Sequence, residues 1–467
     1  MPRHIASLAI IATLFFGPSA TRALGEPTPV NNDPDRMSWL DNGQIRLGVD
    51  LSIGGAITYL ADSKKKVNLI NSHDWGRQIQ MSFYSGPVPF IPEGATIKSN
   101  WRGLGWNPIQ SGDAFGYRSR VLQHRNDGKT IYVRCTPMHW PLKNVPGKCE
   151  FECWFRLEGS TVKATSRLTN HRDDKTQYPA RAQELPAVYT NGPWYKLVSY
   201  IGDEPFTGGK PTVIVDRADG KGWPWRKFYS PENWSALVDE NENGVGLYLP
   251  GVCSWTGGFA GGEKGSGGPK DFPTGYMTPR HLDILDHNIV YTYDYTLIVG
   301  SLDEIRQYVY QHHEKDKLPA WRFEKDRQHW KYEGTTDTGW PIRDCLVVKL
   351  APNPAALASP KTFWRAESAP KLYLRAAFET DAKSINVAFH PYDKIDAVDW
   401  PAWGATTRPP PGPGGQIPLA IAGDGAVRTY EIDLSAHEGY RGAMTQLRLH
   451  LPPAKGTVKI YSVGFQP

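Results

Sequence analysis

Cysteine is scarce in this 467-residue chain, with five residues, and so are long apolar runs. After the run Leu8 to Phe16, no stretch is apolar enough, over enough residues, to cross a bilayer as a helix. That excludes a later helical membrane span. The five cysteines, Cys135, Cys149, Cys153, Cys253 and Cys345, match no standard zinc spacing. Charge of one sign is also limited. The formal net charge is +5, and no Lys/Arg-rich run is interleaved with aromatics. A nucleic-acid partner is therefore not expected. Gly257 to Gly268 reads as a flexible loop, and its glycines lack the strand-to-helix context of a phosphate loop, which argues against a nucleotide. No cofactor and no metal site are read from the chain.

Aromatic residues, by contrast, are abundant, with 17 tryptophans and 22 tyrosines. Each offers a flat apolar face and a polar edge. Sugar rings have apolar C–H faces and hydroxyl rims, so such surfaces suit them. The N-terminus reads as a secretory signal. Arg3 and His4 precede the apolar run, small residues follow, and cleavage fits after Ala23 or Gly25. The expectation is a secreted or periplasmic protein without membrane insertion. An exported chain permits disulfides. The hairpin expected from Thr130 to Pro137 and Lys148 to Leu157 would bring Cys135 towards Cys153 and His139 towards Cys149.

From Asn42 to Val299 short strands follow one another between Gly, Pro, Asn and Asp clusters, with no helical period between them. This predicts an antiparallel all-β fold. One helix is predicted, Leu302 to His313, opened by the capping pair Ser301 and Glu304. Strands resume after Ile342. The expected layout is a signal peptide over 1–25, a large antiparallel sandwich over 26–318, a connector over 319–341, and a smaller jelly-roll-like β-sandwich over 342–467.

Two clusters carry candidate chemistry. The first is His73, Asp74 and Arg77, with Trp75 between them. The second runs from Arg181 through Glu184 to Tyr189. Glu184, flanked by Leu185 and Pro186, is the leading candidate for a desolvated acid or base. In a regular strand Ala182, Glu184 and Pro186 would share one face. Glu184, His73 and Asp74 are the catalytic candidates. Arg77, Arg181, Tyr189, Trp75, Trp106, Trp194, His287 and Tyr291 are the substrate-binding candidates. Trp101, Trp223 and Trp225 also lie in loop-like sequence suited to stacking.

The segments Asn42 to Val49 and Gly54 to Leu60, followed by the polar stretch His73 to Gln80, resemble the opening of the galactose-mutarotase-like β-supersandwich. Tyr430 to Leu434, Met444 to Leu451 and Val458 to Phe465 look like the last strands of carbohydrate-binding sandwiches. The resemblance implies a carbohydrate as partner. The leading expectation is a secreted glycoside hydrolase; the alternatives are a polysaccharide lyase acting on a uronic-acid polymer and a non-catalytic sugar-binding protein.

Overall fold

A computed structural model describes residues 36–216, 224–315, 317–392, 398–401 and 414–467. The segment expected to be a signal peptide, residues 1–25, and Trp223 lie outside the described residues. The fold is all-β. Among the described residues an eleven-stranded and a nine-stranded antiparallel sheet enclose one core, and a five-stranded and a six-stranded sheet enclose another.

Period-two burial shows why these segments pair as they do. In the strand Thr161–Asn170, Val162, Ala164, Ser166 and Leu168 are buried, while Lys163, Thr165 and Arg167 face outward. Its neighbour Cys149–Glu158 buries Cys149, Phe151, Cys153 and Phe155. Two strands close the large sandwich. Thr274–Asp283 lies between Arg181–Asn191 and Ser254–Ala260 in the first sheet. Val290–Ser301 lies between Thr161–Asn170 and Asn243–Tyr248 in the second.

The expected disulfide is absent, and all five cysteines are free and buried. Register explains it. Cys135 lies opposite Phe151, and Cys153 lies opposite Val133. Cys135 and Cys153 are thus diagonal neighbours, roughly 7–8 Å apart, beyond the ordinary Cα span of a disulfide. Burial raises the Cys135 thiol pKa. His139 leaves the hairpin altogether. The short strand Met138–His139 pairs with Pro108–Ile109 in the first sheet.

Two further expectations change. The glycines Gly257 and Gly258 belong to a strand, not a loop. A Cβ at Gly258 would come within 2.1 Å of the Pro224 carbonyl, so the close backbone approach requires glycine. The stretch 319–341 supplies two strands, Ala320–Arg322 and Lys331–Glu333, which pair with Gly456–Gly464 and Ala355–Ala358. The same stretch ties the two sandwiches together. Arg327 sits between Asp286 and Asp337 at 2.5 and 2.7 Å, and Ile284 of the large sandwich lies in the second core.

The helix, Leu302–His312, has the predicted capping box. Ser301 Oγ accepts from the Glu304 N–H, and Glu304 reaches back to the Ser301 N–H. Leu302, Ile305 and Val309 form its buried stripe against the nine-stranded sheet.

Candidate functional site

The first sheet has two working faces. Ile79, Met81, Phe83, Leu185, Val188, Trp255, Phe259 and Met277 turn inward to the core. Their sequence neighbours Gln80, Ser82, Tyr84, Thr256, Ala260 and Tyr276, together with Arg280, line a cavity of about 700 Å³ on the opposite face. Loop residues complete it: Asp74, Arg77, Trp101, Trp140 and Phe272. A cavity of this size holds a ligand of several rings.

The strand Arg181–Asn191 departs from simple alternation at an important place. Ala182 and Glu184 line the cavity, but so do Ala187 and Tyr189. After Arg181 at the start of the strand, even positions give way to odd ones. A register irregularity accounts for the change, falling between Glu184 and Val188 against one neighbouring strand and between Glu184 and Ala187 against the other. One extra residue at Leu185–Pro186 turns the strand over, as a bulge does. Pro186 therefore does not share the cavity face with Glu184.

Glu184 lies opposite Ser82 on one neighbouring strand and opposite Arg280 on the other. Its Oε1 accepts a 2.5 Å hydrogen bond from the Tyr276 hydroxyl. Tyr84 stands beside the same carboxylate, and its hydroxyl accepts from Ser82 Oγ at 3.2 Å. Tyr189 lies opposite Tyr276, with ring centroids 4.6 Å apart, and Trp225 lies 4.8 Å from Tyr276. Burial, followed by the charge of Glu184, holds the pKa of Tyr84, Tyr189 and Tyr276 above the ordinary tyrosine value. All three are hydrogen-bond donors at neutral pH.

Three arginines surround this group. Arg77 Nη1 donates to the Phe272 carbonyl at 2.6 Å, and the Phe272 ring lies 5.2 Å from its guanidinium. Arg181 Nη2 donates to the Gly103 carbonyl at 3.1 Å. Arg280 Nη1 donates to Thr256 Oγ1 at 3.0 Å. Burial lowers the pKa of Arg77 and Arg181, yet a guanidinium stays charged in a protein. Asp74 is the second carboxylate. Its Oδ1 caps the Gly76 N–H at 2.8 Å, and its Oδ2 lies 3.5 Å from Arg77 Nε.

The structure thus gathers Glu184, Asp74, Arg77, Arg181 and Tyr189 in one cavity, together with Trp101 and Trp225. Six other candidates lie elsewhere. His73 turns away, with Nδ1 2.8 Å from the Lys270 carbonyl. Trp75 sits between the cations Arg118 and Lys270. Trp106 and Trp194 are core residues, because each side chain completes the apolar layer between the sheets. Tyr291 is buried and donates to Asp283 at 2.6 Å. His287 does not line the cavity. Tyr84, Tyr276, Arg280 and Trp140 were not legible as site residues. Each is a lone polar or aromatic residue in a strand or turn; pairing across the sheet sets Arg280 beside Glu184 and Tyr276 beside Tyr189, and the fold brings Trp140 to the same cavity.

Among the described residues no group of three or more His, Cys, Asp and Glu side chains is placed to hold a metal ion. No described helix is long and apolar enough to cross a membrane.

No protein-family model matches the chain, and no curated protein sequence matches it. Solved structures do. A galactose mutarotase-like protein from Lactobacillus casei ATCC 334 is 12% identical, with a TM-score of 0.35, covering 56% of this chain and 100% of that one. A galactose mutarotase related enzyme from Lactobacillus acidophilus is 10% identical, with a TM-score of 0.30, covering 57% and 98%. The 4-alpha-glucanotransferase from Thermococcus litoralis is 12% identical, with a TM-score of 0.31, covering 57% of this chain and 37% of that one. Over a little more than half its length, the chain is similar to galactose mutarotase-like proteins.

Proposed function

We propose that the cavity binds an acidic carbohydrate and cleaves a glycosidic bond by β-elimination. The observation that carries this reading is the 2.5 Å Tyr276–Glu184 hydrogen bond in a cavity lined by three arginines. Elimination requires a base for a carbon-bound proton, positive charge for the adjacent carboxylate, and an acid for the leaving oxygen.

Each residue takes one role in this proposal. Arg77, Arg181 and Arg280 take the uronate carboxylate and stabilise the negative charge that develops on it. Glu184 accepts the proton on the carbon next to that carboxylate. The released electron pair forms a carbon–carbon double bond, and the bond to the glycosidic oxygen breaks. Tyr276, held protonated, gives its proton to the departing oxygen. The proton on Glu184 then returns to the Tyr276 phenolate across their hydrogen bond. Protons balance within the pair, and no water is consumed. Trp101, Trp140 and Trp225 offer faces for the sugar rings. Secretion, as read from the N-terminal segment, would bring the protein to an extracellular polymer and belongs to the same proposal.

Hydrolysis is the second reading, and Asp74 is what favours it. A second carboxylate on the same cavity could activate water while Glu184 protonates the leaving group. One assay separates the two. The purified protein is incubated with polygalacturonate, alginate, hyaluronan and neutral xylan. Elimination gives new ends that absorb in the ultraviolet as conjugated unsaturated uronates. Reducing ends without that absorbance would identify hydrolysis, and neither signal would sink both readings. Glu184→Gln is expected to lower turnover by roughly 10²–10⁴-fold while the melting temperature holds. A lowered melting temperature with a proportionate activity loss would make Glu184 a scaffold residue.

A further inference from the structure

The outer face of the nine-stranded sheet should be an ordinary solvated surface. Instead it carries a second cleft of about 650 Å³, bounded by the sheet on one side and the helix Leu302–His312 on the other. Its composition follows from register. Trp154 lies opposite Thr165, and Thr165 opposite Asp294, so these three form one row across adjacent strands. The next row is Thr130, Arg156, Lys163, Thr296 and Tyr248, again paired residue by residue. Tyr308 and His312 of the helix stand over the second row, their rings stacked at 3.9 Å.

The polar groups of the floor are already aimed. Thr165 Oγ1 donates to Asp294 Oδ1 at 2.5 Å. Lys163 Nζ donates to the Tyr308 hydroxyl and, at 3.4 Å, to Thr296 Oγ1. Arg156 is balanced by Glu158 at 3.0 Å. The floor therefore mixes donors and acceptors with little net charge, and the two ends are aromatic. From Trp154 to Tyr248 the cleft crosses three strand spacings, about 14 Å.

We propose that this cleft is a second carbohydrate-binding site, holding a stretch of polymer on the face opposite the cavity. An acyl chain would need an apolar floor, which Lys163, Thr165, Asp294 and Thr296 deny it. A nucleic acid would need a basic tract, which Asp294 and Glu158 break. A sugar chain matches both features. Its C–H faces suit Trp154 and Tyr308, which are only partly buried, and its hydroxyls suit the threonine, aspartate and lysine floor. The identity of the ligand rests on the carbohydrate reading of the cavity, whereas the existence of the cleft does not.

The test measures polymer retention and short-substrate turnover separately. Wild type, Trp154→Ala, Asp294→Asn and Glu184→Gln are run through native gels containing each polysaccharide named above. The same proteins are assayed on short oligosaccharides of the same sugars. Trp154→Ala should weaken retention about tenfold, the usual cost of truncating an aromatic anchor, and leave kcat/KM on the oligosaccharide unchanged. Asp294→Asn should weaken it less and preserve the melting temperature. Glu184→Gln should be retained like wild type while losing turnover. Retention lost in Trp154→Ala with no turnover by any protein would keep the second site and overturn the function proposed for the cavity. Wild type retained by no polymer would overturn the second site, as would Trp154→Ala and Asp294→Asn both retained like wild type.

Discussion

Single residues show how one sheet serves two environments. His139 is buried between Phe90 and Trp106, with ring centroids 4.8 and 5.8 Å away, and its Nδ1 has no hydrogen-bond partner. Burial pushes its pKa down to about 3. His281 is pushed down to about 3 as well, by burial first and then by the stacked His329 at 3.7 Å. Both are neutral in the folded protein, while the unfolded chain protonates them near 6.5. Between those limits the unfolded state binds more protons, so stability falls as the pH falls through that window. His329 works the other way. Burial alone would lower its pKa, but the charge and hydrogen bond of Asp283 outweigh it and raise the pKa, so its contribution is complete below the unfolded value and is lost as the pH rises through the folded one. The melting temperature is therefore expected to drop between neutral pH and pH 4. His139→Phe should flatten that slope, and an unchanged slope would assign the acid sensitivity to other groups.

At the level of elements, the helix Leu302–His312 is fastened to the nine-stranded sheet by more than its apolar stripe. Glu232 is fully buried and accepts from Arg306 Nη2 at 2.9 Å, Tyr310 at 2.7 Å and Trp234 Nε1 at 2.8 Å. Arg306→Ala leaves that carboxylate without its cation and should cost about 3 kcal/mol. Thermal or urea unfolding of the variant checks it, and a change below about 0.5 kcal/mol would class the pair with ordinary surface substitutions. The helix was legible because its period and cap lie in twelve consecutive residues. The segments around Asp74, Arg77 and Glu184 were legible for a related reason, since ionisable residues there stand out from apolar flanks. The rest of the cavity was not. Tyr276 and Arg280 look like any strand residues until pairing sets them beside Tyr189 and Glu184. Trp106 and Trp194 sit in loop-like sequence, yet their bulk fills the core. Local composition reports how polar a segment is, but not which layer it will face.

For the molecule as a whole, the order of closure matters. Thr274–Asp283 and Val290–Ser301 are late in sequence and central in their sheets. A fragment ended at residue 272 would lack both, leaving unpaired edges inside each layer. It should not unfold cooperatively in calorimetry, and a single sharp transition from that fragment would show that the earlier strands are self-sufficient. The second sandwich is joined to the first by the Asp286–Arg327–Asp337 chain and by Ile284, so the late strands also set the docking of the C-terminal half.

The bulge at Leu185–Pro186 has a genetic signature. Along Arg181–Asn191 every other codon answers to chemistry and the alternate one to packing. Saturation mutagenesis of this strand, scored separately for abundance and for activity, should give two interleaved combs. Their teeth should coincide with Ala182 and Glu184 and then, out of phase, with Ala187 and Tyr189, while Arg181 at the start of the strand also answers to chemistry. The phase slip between the combs would locate the extra residue without any coordinates, and an indel there would exchange the two scores for half the strand.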